Sequence, residues 1–278
     1  MTTILDGKNL RDKILTDLKT RITKFEQKPT LVVILIGENP ASKIYVNNKK
    51  KTAESLGINS TVINYPTDVS EEELLKKIEE LNENPDVHAI LVQLPLPNHI
   101  NKFKVINAIK PSKDVDGFTP YNAGRLFIGE KPFAYPCTPK GIIRLLEEYN
   151  IQIAGKHAVI VGRSNIVGKP LAQMLLDKNA TVTVCHSHTE NLAEITKTAD
   201  ILISAVGGKI IWKNMVKSNC IVVDVGIFKD ENGKTRGDVD FDEVAPQTSF
   251  ISPVPGGVGP MTIAMLMENT VELFEQSI

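Results

Sequence analysis

Short apolar runs alternate with amphipathic stretches along nearly all of the 278 residues, and this alternation is the strongest constraint on the fold. Each apolar run is bounded by turn residues and is too short for a helix. Such continuous runs are typical of strands that are buried on both faces of a parallel sheet. The predicted strands are Leu31–Ile36, Ser60–Tyr65, Ala89–Leu94, Ala158–Val161, Val182–Cys185, Ile201–Ala205 and Ile221–Val225.

The stretches before, between and after these strands have helical spacing: Leu10–Phe25, Ser42–Leu56, Ser70–Leu81, Pro139–Tyr149, Val167–Lys178, Asn191–Thr198 and Thr262–Phe274. We therefore predict an α/β protein built from βαβ units. Gly117–Pro136 is expected to be a connection between two series of such units. We predict one domain at residues 1–137 and a second at 138–259, with a C-terminal helix at about 260–278 that returns to the first domain.

The charge balance excludes several classes of protein. Lys and Arg number 32 against 33 Asp and Glu, so the chain lacks the basic surplus of a nucleic-acid binder or a polybasic membrane-surface protein. A membrane span needs about 20 apolar residues, and no run approaches that length. The three cysteines form no CxxC pair and the N-terminal residues do not read as a signal peptide, so we expect reduced thiols and a cytoplasmic protein.

His157–Pro170 has the pattern of a strand, a tight turn and a helix. Gly162 would let the chain turn sharply, and the amides after it and the helix N-terminus could then face a pyrophosphate. Ser164 stands where a dinucleotide-binding fingerprint has its middle glycine, and Pro170 excludes a P-loop because it replaces the magnesium-binding hydroxyl. A dinucleotide site and a plain strand-to-helix turn both remain open at this point.

The end of the following strand favours NADP over NAD. NAD-binding folds place a carboxylate there for the ribose hydroxyls, yet no carboxylate occurs before Glu190. Arg163 and Ser187, with the histidines at 186 and 188, instead suit a 2′-phosphate. A metal site of Cys185, His186 and His188 is the alternative, but a strand would point Cys185 away from His186, so we predict no metal.

Tyr45 and Lys49 lie four residues apart on one predicted helix and therefore share a face. That face would lie at the carboxyl edge of the sheet, where open α/β sheets bind ligands. Spacing alone favours the ordinary interpretation, a solvated run of lysines with a partly packed tyrosine. Two loops would share this edge: one carries Gln93 among apolar neighbours, and the other carries Asp116 in an Asp-Gly turn.

Together these segments resemble the bifunctional methylenetetrahydrofolate dehydrogenase/methenyltetrahydrofolate cyclohydrolase family. The resemblance runs in order along nearly the whole chain. It rests on the segments Tyr45–Lys49, Val92–Pro97, Lys113–Gly117, Pro136–Pro139, Gly162–Gly168, Asp224–Ile227 and Pro253–Thr262.

The resemblance implies an N-terminal α/β catalytic domain, a Rossmann-type NADP-binding domain with a parallel sheet, and a cleft between them. It implies oxidation of 5,10-methylenetetrahydrofolate by NADP⁺, followed by hydrolysis of the methenyl product to 10-formyltetrahydrofolate. It also implies a homodimer formed through the second domain. The roles carried over are catalysis by Lys49 with Gln93, folate binding by Tyr45, Asp116 and the loop with Pro255, Gly256 and Gly257, and dinucleotide binding by Gly162, Arg163, Ser164 and Ile227.

Three alternatives stay open from the sequence. The chain could be another two-domain NADP dehydrogenase, for example of a hydroxy acid. It could be a binding protein that kept the fold without catalysis, although Lys49, Gln93 and Asp116 together argue against this. It could also be a dehydrogenase with little cyclohydrolase activity.

Overall fold

A computed structural model describes all residues from Met1 to Ile278. Its eleven strands are β1 (Thr3–Ile4), β2 (Thr30–Ile36), β3 (Asn59–Tyr65), β4 (Ala89–Val92), β5 (His157–Val161), β6 (Thr181–Cys185), β7 (Ile201–Ser204), β8 (Ile221–Asp224), β9 (Phe228–Lys229), β10 (Thr235–Arg236) and β11 (Phe250–Ile251).

Ten α-helices connect and cover these strands: α1 (Gly7–Ile22), α2 (Pro40–Leu56), α3 (Glu71–Glu83), α4 (Lys102–Ala108), α5 (Pro120–Phe127), α6 (Cys137–Glu148), α7 (Gly168–Asp177), α8 (Leu192–Thr196), α9 (Phe241–Val244) and α10 (Val258–Glu275). None of them combines the length and the apolar character that a membrane crossing requires.

The chain divides into two compact units. One unit contains Lys13–Pro136 and Met265–Ile278, and the other contains Met1–Asp12 and Cys137–Ala264. Helices α1 and α10 each contribute residues to both units. The two units are defined by contacts within the chain and not by ligand binding. The assignment of residues 1–137 and 138–259 to two binding functions therefore stays a prediction.

The unit of Lys13–Pro136 has a three-stranded parallel sheet in the order β3-β2-β4. All residues of the central strand after Thr30 are buried. Its alternate residues Val32, Ile34 and Ile36 belong to a core that includes Leu74 and Ile78 of α3. The remaining apolar residues of β2 are buried as well, which explains the continuous apolar run in the sequence.

The unit of Cys137–Ala264 has a six-stranded, wholly parallel sheet in the order β1-β11-β8-β7-β5-β6. Chain order reverses between β5 and β7, because β6 lies on the opposite side of β5. Ligands of open α/β sheets bind at the carboxyl ends of the strands at such a switch point. The predicted glycine turn follows β5 at this point.

The sequence pattern missed the shortest elements. Strands β1 and β11 have two residues each and are held by parallel pairing of Thr3 with Phe250 and of Ile4 with Ile251. Gly117–Pro136 is more than a connection, because it contains α5, which begins at Pro120 after the cap residue Thr119. A strand of two residues or a helix of two turns is too short to produce a clear hydrophobic period in the sequence.

Candidate functional site

Helix α2 is fixed at both ends by local sequence. The Asn39 side chain accepts a hydrogen bond from the Ser42 backbone N–H (3.1 Å), and Pro40 occupies the first helical position. Gly57 ends the helix with a left-handed φ of 87°, and its N–H donates to the carbonyls of Ala53 and Glu54. The side chains of α2 are therefore held in a defined orientation.

The three consecutive lysines of α2 have different surroundings. Lys50 is half-buried and lies 3.8 Å from a Glu54 carboxylate oxygen, and Lys51 is exposed. Lys49 is only 9% exposed, and its Nζ donates to the Oε1 of Gln93 at 3.0 Å. Lys49 is therefore not part of a solvated face. A buried ammonium beside a neutral amide is an unusual arrangement that is common at functional sites.

Gln93 is held rigidly at the end of β4. Its backbone N–H donates to the carbonyl of Ile34 (2.9 Å), which continues the pairing of β2 with β4. Its side-chain Nε2 donates to the carbonyl of Leu94 (2.7 Å). Because the amide nitrogen is used in this way, the amide oxygen is the atom directed at Lys49. Both ends of the amide thus have a hydrogen-bond partner at this half-buried position.

Tyr45 precedes Lys49 by one turn of α2, and its side chain is 41% exposed. An aromatic ring with that much exposure is available to contact a flat ligand. The structure thus brings Lys49 and Gln93 into direct contact and leaves Tyr45 accessible on the same helix.

Asp116 is half-buried in a turn that two polar side chains hold in place. Asp114 is buried, and its Oδ2 accepts hydrogen bonds from the Thr119 N–H (2.7 Å) and from the Asn122 Nδ2 (3.0 Å). Gly117 has a φ of 68°, and a Cβ there would lie 2.4 Å from the carbonyl oxygen of Ala134. Only glycine fits at this position.

The C-terminal helix supports the same turn. Asn269 is fully buried, and its Nδ2 donates to the carbonyls of Val115 (2.9 Å) and Tyr135 (2.8 Å). An isolated parallel bridge between Ile90 and Asp114 places the turn alongside β4. The Asp116 backbone is therefore fixed next to the strand that carries Gln93.

In the other unit, two glycines make the turn after β5 possible. Gly162 has a φ of 126°, and a Cβ there would lie 2.5 Å from the Ala205 carbonyl oxygen. A Cβ on Gly168 would lie 2.0 Å from the Gly162 carbonyl oxygen, so α7 approaches the turn too closely for any other residue. These are two of the three functions that glycine has in a dinucleotide-binding turn.

The turn presents a row of available backbone donors. Residues 163–166 are exposed, and their backbone N–H groups make no hydrogen bond within the chain. The Ser164 hydroxyl accepts from the N–H groups of Val167 (3.2 Å) and Gly168 (3.4 Å), which closes the turn where a middle glycine is usual. Free amides before a helix N-terminus suit an anionic group, so the turn fits a dinucleotide pyrophosphate.

Arg163 and Ser187 are at the same edge of the six-stranded sheet. Parallel pairing aligns Val161 of β5 with Cys185 of β6, and each of the two exposed residues follows its strand by two positions. They make no hydrogen bond to each other. A guanidinium and a hydroxyl at this edge could bind a 2′-phosphate.

The histidines next to Ser187 are not grouped with Cys185 into a cluster that could hold a metal ion. The His188 backbone N–H donates to the His186 Nδ1 (3.2 Å), and burial raises the pKa of the Cys185 thiol. No group of three or more His, Cys, Asp or Glu side chains in the chain could hold a metal ion.

The remaining predicted residues follow β8 and β11. Ile227 is about half-exposed after β8. In the loop after β11, Gly256 has a φ of 114° and its carbonyl accepts from the Lys8 N–H (3.0 Å). The Gly257 N–H donates to the Pro253 carbonyl (2.8 Å), and Pro255 follows a cis peptide bond. The loop is therefore well ordered by its backbone contacts, while its role in substrate binding stays a prediction.

Sequence reasoning assigned no function to the buried polar residues that hold these loops: Asp114, Asn122, Asp224, Asp238 and Asn269. The sequence carried a weak signal at Asp224, which stands between Val223 and Val225. Their partners are distant in sequence or are backbone groups, so the pattern alone could not reveal what they bind.

The six-stranded sheet, the glycine turn at its switch point and the free amides define a two-unit α/β protein with a dinucleotide-binding fold. Residues 5–116 match the model of the tetrahydrofolate dehydrogenase/cyclohydrolase catalytic domain, and residues 136–278 match that of the NAD(P)-binding domain of the same family. The chain belongs to the tetrahydrofolate dehydrogenase/cyclohydrolase family.

Known relatives extend this match over the full length. The bifunctional protein FolD of Ligilactobacillus salivarius is 54% identical, over 100% of this chain and 99% of the relative. The crystal structure of the bifunctional enzyme FolD from Campylobacter jejuni has a TM-score of 0.98 at 49% identity, with 100% of both chains covered. The Trypanosoma brucei enzyme, solved with NADP and an inhibitor, has a TM-score of 0.95 at 36% identity, covering 99% of this chain and 98% of that one.

Proposed function

We propose that the protein oxidises 5,10-methylenetetrahydrofolate with NADP⁺ and then hydrolyses the resulting 5,10-methenyltetrahydrofolate to 10-formyltetrahydrofolate. In the first reaction a hydride leaves the methylene carbon of the folate. In the second, water adds to the methenyl carbon and the five-membered ring opens. Family membership supports both reactions. The contact between Lys49 and Gln93 is the structural observation that carries the proposal.

Lys49 is the proposed catalytic group of the hydrolysis. Addition of water and opening of the ring require a group that accepts and returns protons. The Lys49 ammonium is buried on α2 and is oriented by the 3.0 Å hydrogen bond to Gln93. Tyr45, one turn earlier, would stack on the aminobenzoate ring of the folate and bring the one-carbon unit within reach of Lys49.

Asp116 and the loop of residues 255–257 are the proposed folate contacts. The carboxylate of Asp116 would accept hydrogen bonds from the amino and ring N–H groups of the pterin. Its turn is held by Asp114 and by Asn269, so the carboxylate would meet the pterin in a fixed position. Pro255, Gly256 and Gly257 would contribute a rigid backbone surface.

NADP⁺ is the proposed cofactor, and it supplies the acceptor for the hydride. The amides after Gly162, with Ser164 in the turn, would hold the pyrophosphate. Arg163 and Ser187 would bind the 2′-phosphate, and Ile227 would contact the dinucleotide. The protein's own contribution to this step is to bind and orient two flat rings.

We assign folate binding to residues 1–137 with the C-terminal helix of about 260–278, and NADP binding to residues 138–259. We also propose a cytoplasmic homodimer that binds neither nucleic acid nor membrane. The three cysteines, at 137, 185 and 220, are buried and form no disulfide, which supports a reducing compartment. Sedimentation equilibrium of the purified protein would test the dimer, and a monomer would contradict it.

One assay tests both reactions. The purified protein is incubated with 5,10-methylenetetrahydrofolate and NADP⁺. The absorbance of NADPH and the absorbance of the methenyl intermediate are then followed in the same reaction. We expect NADPH to form while the intermediate stays low. Absence of NADPH would refute the dehydrogenase. If the methenyl compound accumulates and then disappears only at its uncatalysed rate, the proposed cyclohydrolase activity is refuted.

A further inference from the structure

Asp238 is fully buried, and its carboxylate accepts four hydrogen bonds from residues 204–208, which form the end of β7 and the loop that follows it. Its Oδ2 accepts from the Ser204 hydroxyl (2.8 Å) and the Val206 N–H (2.7 Å). Its Oδ1 accepts from the N–H groups of Gly207 and Gly208, both at 2.8 Å. A buried carboxylate needs such donors, because burial of an unpaired charge is very costly.

Three successive amides that converge on one anion form a concavity of the kind that binds phosphate in other proteins. Here the chain's own Asp238 carboxylate fills the concavity. These amides are therefore unavailable to a ligand, and the effect of the carboxylate is to fix the backbone of residues 204–208.

A second buried carboxylate holds Asp238 itself. Asp224, at the end of β8, accepts from the backbone N–H groups of Gly226 (3.1 Å), Asp238 (2.9 Å) and Val239 (3.0 Å). A Cβ on Gly226 would lie 1.7 Å from the Asp238 Oδ1, so only glycine leaves room for the carboxylate. The two aspartates thus tie the loop after β7 to the turn after β8.

The segment that Asp238 holds forms one side of the switch point of the sheet. Strands β5 and β7 are neighbours, and the missing Cβ of Gly162 would lie 2.5 Å from the Ala205 carbonyl oxygen. The glycine turn that presents the free amides therefore packs directly on the loop that Asp238 fixes. A displaced Ala205 would displace the turn of Gly162 with it.

We propose that Asp238 is a positioning residue for dinucleotide binding, which acts by holding the loop after β7 against the glycine turn. This inference rests on the proposed binding of NADP⁺. It predicts that loss of the Asp238 carboxylate weakens the dinucleotide site and spares the reaction that uses no dinucleotide.

The test is Asp238→Asn. The amide of the variant has only one acceptor oxygen. Its NH₂ group must therefore face the donors that bind the second carboxylate oxygen of Asp238 in the wild type. We expect the Kd for NADP⁺, measured by titration calorimetry, to rise about ten- to a hundred-fold. Hydrolysis of methenyltetrahydrofolate supplied directly should stay within about twofold of wild type, because that step needs no hydride acceptor.

Asp230→Asn is the matched control. The Asp230 carboxylate also holds a turn, through Asn232, Lys234 and Arg236, but on the exposed hairpin of β9 and β10. This variant should bind NADP⁺ like the wild type.

Ser204→Ala is the second test variant. It removes one donor from the Asp238 carboxylate and leaves the three backbone amides. We expect the Kd for NADP⁺ to rise about three- to tenfold, which is the effect of losing one hydrogen bond.

The outcomes separate the possibilities. A folded Asp238→Asn protein with wild-type NADP⁺ affinity would overturn the inference, as would an equal loss of NADP⁺ binding and of hydrolysis. If Asp238→Asn fails to fold, unchanged affinity in Ser204→Ala overturns the inference, and a selective loss supports it. A wild-type protein that binds no NADP⁺ would refute the proposed cofactor, and this inference with it.

Discussion

Replacing Lys49 by Met tests the proposed hydrolysis most directly. The substitution keeps side-chain length and helix propensity on α2 but removes every proton that the side chain can transfer. General acid–base catalysis usually contributes about 10²–10⁴-fold, so we expect the rate of methenyltetrahydrofolate hydrolysis to fall by at least that factor. This corresponds to a barrier that is higher by about 3–5 kcal/mol.

The structure limits the side effects of this substitution. Lys49 makes one side-chain hydrogen bond, to the Gln93 Oε1, whose loss costs about 1.5–3 kcal/mol before any relief from removing a buried charge. We therefore expect a folded protein. Oxidation of methylenetetrahydrofolate should suffer less than hydrolysis, because hydride transfer needs no proton from Lys49. The methenyl intermediate should then accumulate.

Two further variants test whether Lys49→Met loses hydrolysis because it cannot transfer a proton. Lys51→Met makes the same change on an exposed position of the same helix and should leave hydrolysis unchanged. Lys49→Arg keeps a positive charge and N–H donors but cannot release a proton near neutral pH. We expect it to be as inactive in hydrolysis as Lys49→Met. Wild-type hydrolysis by Lys49→Met, after subtraction of the uncatalysed rate, would refute the reasoning.

Three further predictions concern the folate, the cofactor and pH. Asp116→Asn should raise the KM for the folate about tenfold or more, because an NH₂ group replaces an acceptor, and leave the Kd for NADP⁺ unchanged; unchanged steady-state kinetics would reduce Asp116 to a turn residue. Arg163→Ala should weaken NADP⁺ binding about ten- to a hundred-fold and NAD⁺ binding much less; calorimetry that finds equal losses would reject the 2′-phosphate assignment. Burial raises the pKa of Asp224 from the ordinary value of 3.8 to about 7, so the folded protein keeps a proton that the unfolded chain has released, and stability should fall as pH rises between these values. Urea midpoints measured from pH 5 to pH 8 should show this slope, and Asp224→Asn should flatten it; parallel slopes in the two proteins would contradict the prediction.

The long secondary-structure elements were predictable because their burial is periodic or continuous. β2 is buried on both faces, and its apolar run in the sequence matches its observed bounds to within one residue. Helix α2 was equally clear: the predicted Ser42–Leu56 ends where the observed helix ends and begins two residues after the observed start at Pro40. Strands β1 and β11 were not predictable, because two residues produce no period and their pairing joins segments almost 250 positions apart.

Motif residues of the two candidate sites were visible in the sequence, but their surroundings were not. The pattern of Tyr45 and Lys49 gave a shared helix face, yet three adjacent lysines look alike until the fold buries one of them. Only the pairing of β2 with β4 puts Gln93 next to that lysine. The contact depends on residues 44 positions apart, which no local spacing can specify.

The sequence by itself determined the α/β class, the parallel sheets and the glycine turn, because these follow from short-range patterns of hydrophobicity and backbone freedom. The tertiary structure alone decided which polar groups are buried and what they bind. Asp238 illustrates the difference: beside Val239 it reads as an ordinary loop residue, and only the folded chain brings four donors from residues 204–208 around its carboxylate. Burial of a charge is tolerated only where such donors converge, and their convergence is a property of the folded chain.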